Sequence, residues 1–253
     1  MLLKMRVSAF CFTNDEKKER QMSKEHSTNP LSTLNSFEWG LWLFSLGIVT
    51  ISFLAMPEKD YLTLAASLIG VTALIFVSKG HVLGQILTVI FAVFYGIVSF
   101  IFNYYGEMIT YLGMTAPMAI LAIISWIRHP HKKTKSVAVS KVTIRQLVIM
   151  IIISIGVTIG FYFILKKLNT PNLIFSTISV FTSFVAVYLT FLRSPFYALA
   201  YSANDIVLIF LWILASQQNK AYVPMIICFL MFLVNDIYGF INWRRIEKIQ
   251  RRR

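Results

Sequence analysis

The sequence predicts an all-α polytopic membrane protein: a parallel 3+1+3 helix repeat with one additional N-terminal transmembrane helix. Three observations carry this prediction. The 253 residues are 57% hydrophobic and 14% charged, with a mean hydropathy of +0.68, outside the range of an ordinary soluble domain. Apolar stretches close to 20 residues, the length a helix needs to cross a bilayer, recur along nearly the whole chain without strand-like alternation. Finally, the segment ending Trp126-Ile127-Arg128 matches the one ending Trp243-Arg244-Arg245 at an offset of 117, with Met108 on Met225, Ile120 on Ile237 and Ile124 on Ile241 among the identities.

The elements follow in order. Residues 1–36 are polar and mixed in charge, with neither a long apolar core nor an A-x-A-like cleavage site. They do not read as a secretory signal and are expected to be disordered and cytoplasmic; Met22 offers an alternative start. Residues 37–56 form the additional span, whose apolar run begins at about 38. Residues 61–128 hold the first triplet, with runs at about 61–78, 82–103 and 108–128, and Pro117 predicts a kink in the third. The basic stretch "RHPHKKTKSVAVSKVTIR" leads into a linker span at 145–165. Residues 173–245 hold the second triplet, at about 173–192, 195–217 and 221–243, and 246–253 are a basic tail. A single linker span restores the starting side, so both triplets run in the same direction, and such repeats enclose a site near the bilayer midplane.

Charge placement fixes the expected orientation. With the N-terminus inside, 20 of the 24 Lys and Arg residues fall on cytoplasmic segments, and only Lys59, Lys166, Lys167 and Lys220 lie outside. This asymmetry predicts both termini in the cytoplasm of a cell-membrane protein. It also assigns the net charge of +13 to topology and to the lipid bilayer rather than to nucleic acid.

Two carboxylates interrupt the apolar runs: Asp205 in "YSANDIVLIFLW" and Asp236 in "FLVNDIYGFINW". A charged side chain at bilayer depth costs about 3 kcal/mol on insertion scales, so each needs a reason. Both sit on the order of 12–15 Å from the cytoplasmic boundary at helical rise, on adjacent antiparallel spans. Asn235, Tyr238 and Asn242 share a helical face; Tyr197, Tyr201, Asn204 and Trp212 line parts of the preceding span, and Gln85 is the polar counterpart in the first triplet. The competing reading is that such groups only join helix to helix, and Tyr or Trp near span ends are ordinarily interface residues, which weakens the case for Trp126 and Trp243.

Absences narrow the substrate. No basic residue lies in mid-span to clamp a phosphate or to carry a retinal Schiff base. No G-x-x-x-x-G-K-[ST] loop occurs, His81, His129 and His131 form no ligand cluster, and Cys11 and Cys228 have no pairing or ligand spacing. The sequence therefore predicts no catalytic residues, metal or cofactor. It predicts a binding site for a small neutral or cationic molecule, since carboxylates and aromatic faces suit a cation and an Asn supplies both donor and acceptor. Asn204 and Asn235 are the expected substrate contacts. Asp205 and Asp236, with no basic partner in their spans, are expected to brace the helix pair.

The run "SPFYALAYSANDIVLIFLW" followed by "YVPMIICFLMFLVNDIYGFINW" resembles the C-terminal triplet of the PnuC nicotinamide riboside transporters. The resemblance covers about residues 40–245 in layout and is most specific over 175–245. Asn235, Tyr238, Gly239 and Trp243 match that family's closing N-x-x-[YF]-G-x-x-x-W pattern. Tyr197 and Ala200 stand where the family carries W-x-x-W, and Asn204 takes the polar position after it. The resemblance implies a SWEET-like 3+1+3 fold and import of nicotinamide riboside by facilitated diffusion. It also implies trapping by a cytoplasmic riboside kinase and substrate-binding roles for Tyr197, Asn204, Asn235, Tyr238 and Trp243, to which the polar and aromatic pattern of the spans adds Gln85, Tyr201, Asp205, Trp212, Asp236 and Asn242 as expected substrate-binding residues. A transporter of another vitamin, such as thiamine, and a ligand-binding membrane sensor are the alternatives, and the layout leaves room for a homo-oligomer.

Overall fold

Helix starts are written in the sequence as capping residues. Asn35 accepts the Glu38 backbone N–H at 2.9 Å, and the Asn35 N–H donates back to the Glu38 carboxylate at 2.7 Å, a capping box that satisfies two orphan donors at once. Thr143 and Gln146 repeat the device. The computed structural model describes residues 30–57, 60–131 and 136–252, and eight of its helices are long and apolar enough to span a membrane. They are α1 (Ser36–Leu54), α2 (Tyr61–Ser78), α3 (Val82–Ile101), α4 (Tyr105–Arg128), α5 (Ile144–Lys167), α6 (Leu173–Phe191), α7 (Tyr197–Gln218) and α8 (Val223–Arg251). This is a multi-pass membrane protein.

Six of the helices close a ring in the order α2, α3, α4, α6, α7, α8 and back to α2. The other two lie outside it. Helix α1 packs on both α2 and α8 and covers their seam. Helix α5 packs on α6, and its Leu165 reaches over to Gly106 of α4, where an added Cβ would meet the Leu165 side chain at 2.9 Å. The backbones of α2 and α3 approach closely: a Cβ on Gly84 would stand 2.4 Å from the Val77 backbone nitrogen, so no larger residue fits that corner without a backbone shift.

Three expectations need adjustment. Residues 1–29 lie outside the described residues, but 30–36, expected to be structureless, carry a 3-10 turn (Pro30–Thr33) and the α1 cap. The kink at Pro117 is a π-helical turn over Tyr111–Thr115: Pro117 has no N–H to donate to the carbonyl one turn back, so the wider turn takes up the mismatch. The basic tail is not separate. Helix α8 continues to Arg251, with Glu247 paired to Arg244 and Arg251 at helical spacing and Gln250 bonded to the backbone of Val137 and Val139.

Candidate functional site

All six ring helices contribute to one central cavity. Helix α7 supplies Tyr201, Asn204 and Asp205, α8 supplies Asp236 with Phe229 and Phe232, α3 supplies Gln85, Thr88 and Phe91, α4 supplies Tyr111 and Thr115, and α6 supplies Ser183. The two carboxyl groups lie within hydrogen-bond reach of each other, and both residues are 3% exposed. Neither is in an ion pair among the described residues, and Asp205 Oδ2 has no partner. The Asn204 amide oxygen accepts from Thr182 at 2.8 Å and Ser183 at 3.0 Å, which fixes the amide's orientation and leaves its N–H₂ free of protein bonds among those described. The cavity holds about 50 Å³. That is space for a few waters and far below the ordinary range of ligand pockets, so a nucleoside-sized occupant requires the walls to part.

The predicted site residues divide into three groups. Gln85, Tyr201, Asn204, Asp205 and Asp236 meet at the cavity. Asn235 and Tyr238 turn the other way, toward α1: the Asn235 amide donates to Ser45 at 3.0 Å, and the Tyr238 hydroxyl donates to Glu38 at 2.6 Å. Glu38 also receives Lys79 at 2.9 and 3.0 Å, so it is a fully buried junction between α1, α2 and α8. The Asn–Asp pair of α8 is thus split by the 100° turn between neighbours, and it is the Asp that faces the cavity.

The remaining residues close the two ends. At the end carrying Lys79, Arg128 and Arg193, here the basic end, Asn242 and Trp243 of α8 donate to the carbonyls of Ser78 (2.9 Å) and Val77 (2.8 Å) at the end of α2. Ser125 and Trp126 of α4 donate in the same way to Phe191 (2.9 Å) and Thr190 (3.0 Å) at the end of α6. The two indoles meet at 5.5 Å, and Tyr197 packs edge-on against Trp243 at 4.9 Å. Neither Trp126 (1% exposed) nor Trp243 (0%) is an interface residue; their ring N–H groups are satisfied by helix-end carbonyls. The linker strand lies across this plug, with Val137 N–H bonded to Gly80 O at 2.9 Å and Ser140 N–H bonded to Arg193 O at 3.0 Å. Both acceptors, Gly80 and Arg193, hold positive φ, and burial lowers the Arg193 guanidinium from its usual range. At the far end Trp212 packs on Tyr104 at 5.1 Å and Tyr222 at 5.5 Å, outside the cavity.

Sequence reasoning passed over the aromatic roof of the cavity, Phe91, Tyr111, Phe229 and Phe232, because Phe and Tyr in apolar spans are indistinguishable from lipid-facing residues by composition. It also passed over Glu107, which is 1% exposed, because the apolar run was started one residue after it.

A model of the family described as "Nicotinamide mononucleotide transporter" matches residues 60–245. The chain belongs to this family. Among its relatives, the protein named nicotinamide riboside transporter PnuC from Neisseria mucosa is 28% identical over 214 residues, covering 82% of this chain and 81% of the relative. The one of the same name from Haemophilus influenzae is 24% identical over 210 residues, covering 82% and 90%. A solved structure titled as the crystal structure of the vitamin B3 transporter PnuC superposes with a TM-score of 0.76 at 26% identity, covering 90% of this chain and 97% of that one. The family match begins at residue 60, so α1 lies outside it, whereas it takes in the first five ring helices whole and α8 as far as residue 245.

Proposed function

We propose that this PnuC-family protein carries nicotinamide riboside across the cell membrane by facilitated diffusion, through the central cavity of the six-helix ring. The observation that carries the reading is the cavity's chemistry: two neighbouring carboxyls and a positioned amide under an aromatic roof, with no basic residue among the lining. A pyridinium ring is attracted to aromatic faces and carboxylates, and a carboxamide or ribose diol matches Asn204 and Gln85. A phosphorylated nucleotide would bring its anion to the carboxyls with no Arg or Lys to receive it.

In this reading the ring is a parallel 3+1+3 repeat, SWEET-like in layout. Its two triplets are related by the crossed bonds at the basic end: Ser125 and Trp126 correspond to Asn242 and Trp243, 117 positions on. The basic end faces the cytoplasm, as the charge asymmetry favours, and riboside that enters is retained by a cytoplasmic kinase. The protein acts as a carrier and not as an enzyme. Tyr197, Asn242 and Trp243 form the closed inner gate, and Trp212 belongs to the outer one. Titration calorimetry on purified protein tests the substrate assignment: riboside binds, while its mononucleotide and thiamine do not displace it. Displacement by the mononucleotide at equal concentration contradicts the reading.

A further inference from the structure

The outer half of the ring contains a buried carboxyl that the central cavity does not use. Glu107, near the start of α4, is 1% exposed and accepts from Ser179 of α6 at 3.2 Å, with no ion pair among the described residues. Tyr104 and Tyr111 lie about one helical turn before and after it in sequence, and Tyr95 packs on Tyr111. Tyr104 packs on Trp212 at 5.1 Å. Tyr95 and Trp212 are 2% and 1% exposed, yet neither polar tip has a satisfactory hydrogen-bond partner.

This cluster lies between two spaces. Below it, Tyr95 packs on Tyr111 at 4.3 Å and on Phe229 at 5.9 Å, the roof of the central cavity. Above it, Tyr104 and Trp212 adjoin Tyr222, which packs on Phe102 at 5.2 Å. Phe102 lines a separate cavity of about 310 Å³ at the far end of the bundle, together with Asp60. Aromatic contacts therefore reach from the far-end cavity as far as Tyr104 and Trp212, and from the central cavity as far as Tyr95 and Tyr111, with Glu107 on α4 between Tyr104 and Tyr111. Intramembrane ionisable groups are retained chiefly where they meet a substrate or an ion. A carboxylate flanked by aromatic faces and unsatisfied donors is a receptor for a flat cation carrying hydrogen-bond acceptors.

We propose that Glu107, with Tyr95, Tyr104 and Trp212, forms a second binding station for a planar organic cation, occupied before the substrate reaches the central cavity. The station rests on the transport reading above and adds to it charge selection at the outer half of the path. The riboside's reduced form, a 1,4-dihydropyridine of nearly the same shape, is uncharged and serves as the probe. Uptake of both forms into proteoliposomes is measured for the wild type, Glu107→Gln and Glu107→Asp, with the thermal stability of each. Gln keeps the bond from Ser179 and removes only the charge. The station predicts that Glu107→Gln raises KM for the cation about tenfold, an effect of ordinary cation–π and charge size, changes KM for the reduced form less than about twofold, and is rescued in large part by Glu107→Asp. Equal losses for both forms, or no loss for either, overturn the station while leaving the transport reading intact. A wild type that takes up neither form overturns the transport reading and the station with it.

Discussion

At the two Asn–Asp pairs, neighbouring side chains of one helix answer to different partners. Asn204 and Asp205 both reach the cavity, whereas Asn235 holds α8 to Ser45 of α1 and leaves the cavity to Asp236. The presence of buried polar residues was legible in the sequence, because a carboxylate in an apolar run has no cheap explanation. Which of two neighbours faces inward was not, because the polar face shared by Asn235, Tyr238 and Asn242 carries no mark of its partner, and the fold turns Asn235 and Tyr238 toward α1. The pairs therefore respond differently to truncation. Asn204→Ala is expected to weaken riboside binding tenfold or more, since it removes an amide facing the cavity, while lowering stability only modestly. Asn235→Ala is expected to cost about 1–2 kcal/mol of stability, the value of a buried hydrogen bond left unmade, with riboside affinity within about twofold of the wild type. Calorimetric titration and thermal unfolding of the two variants check this; loss of binding in Asn235→Ala alone would reverse the assignment.

Among the elements, the linker strand and the two Trp-bearing helix ends work as one closure. Val137 is 3% exposed and lies against the plug that contains Trp126, Tyr197 and Trp243, while Gln250 holds the strand from both sides. None of this was visible in advance: the stretch reads as a basic connector, and one buried Val in it carries no periodic signal. The Trp residues misled for a related reason, since indoles near span ends ordinarily sit at the lipid interface and only the tertiary fold brings these two together. The closure should be adjustable. Val137→Asp places a charge under the two indoles and is expected to loosen the basic end, and Gln250→Ala is expected to do so more weakly. A cysteine introduced at Ala200, modified from the basic side in inverted vesicles, should react faster in both variants, with the larger rate in Val137→Asp. Unchanged rates would mean that the strand does not guard this end.

The molecule as a whole is a ring of six helices with one further helix over each of two seams. The number of spans and their approximate ends were legible because bilayer thickness imposes a length on apolar runs. Ring order and the placement of α1 and α5 were not, because helices that are apolar all round do not announce which face meets which neighbour. Helix α1 is tied down by a junction, Glu38 with Lys79 and Tyr238, whose three members are far apart in sequence. The charge asymmetry favours one orientation, so reporter fusions after Arg253 and within the α1–α2 loop are expected to be active on the cytoplasmic and external sides respectively; the reverse pattern would invert the path proposed here.

The measurement that bears most directly on the carrier is counterflow in proteoliposomes free of nucleotide. Vesicles loaded with unlabelled nicotinamide riboside and diluted into a trace of labelled riboside should accumulate label transiently, then lose it as the gradients equalise. Loading with the mononucleotide instead should produce no overshoot. Such an overshoot without ATP is the signature of a site alternately exposed to the two sides, as the closed cavity between two gates predicts. Riboside that binds but shows no counterflow, or accumulation that appears only when ATP is supplied, would contradict the account.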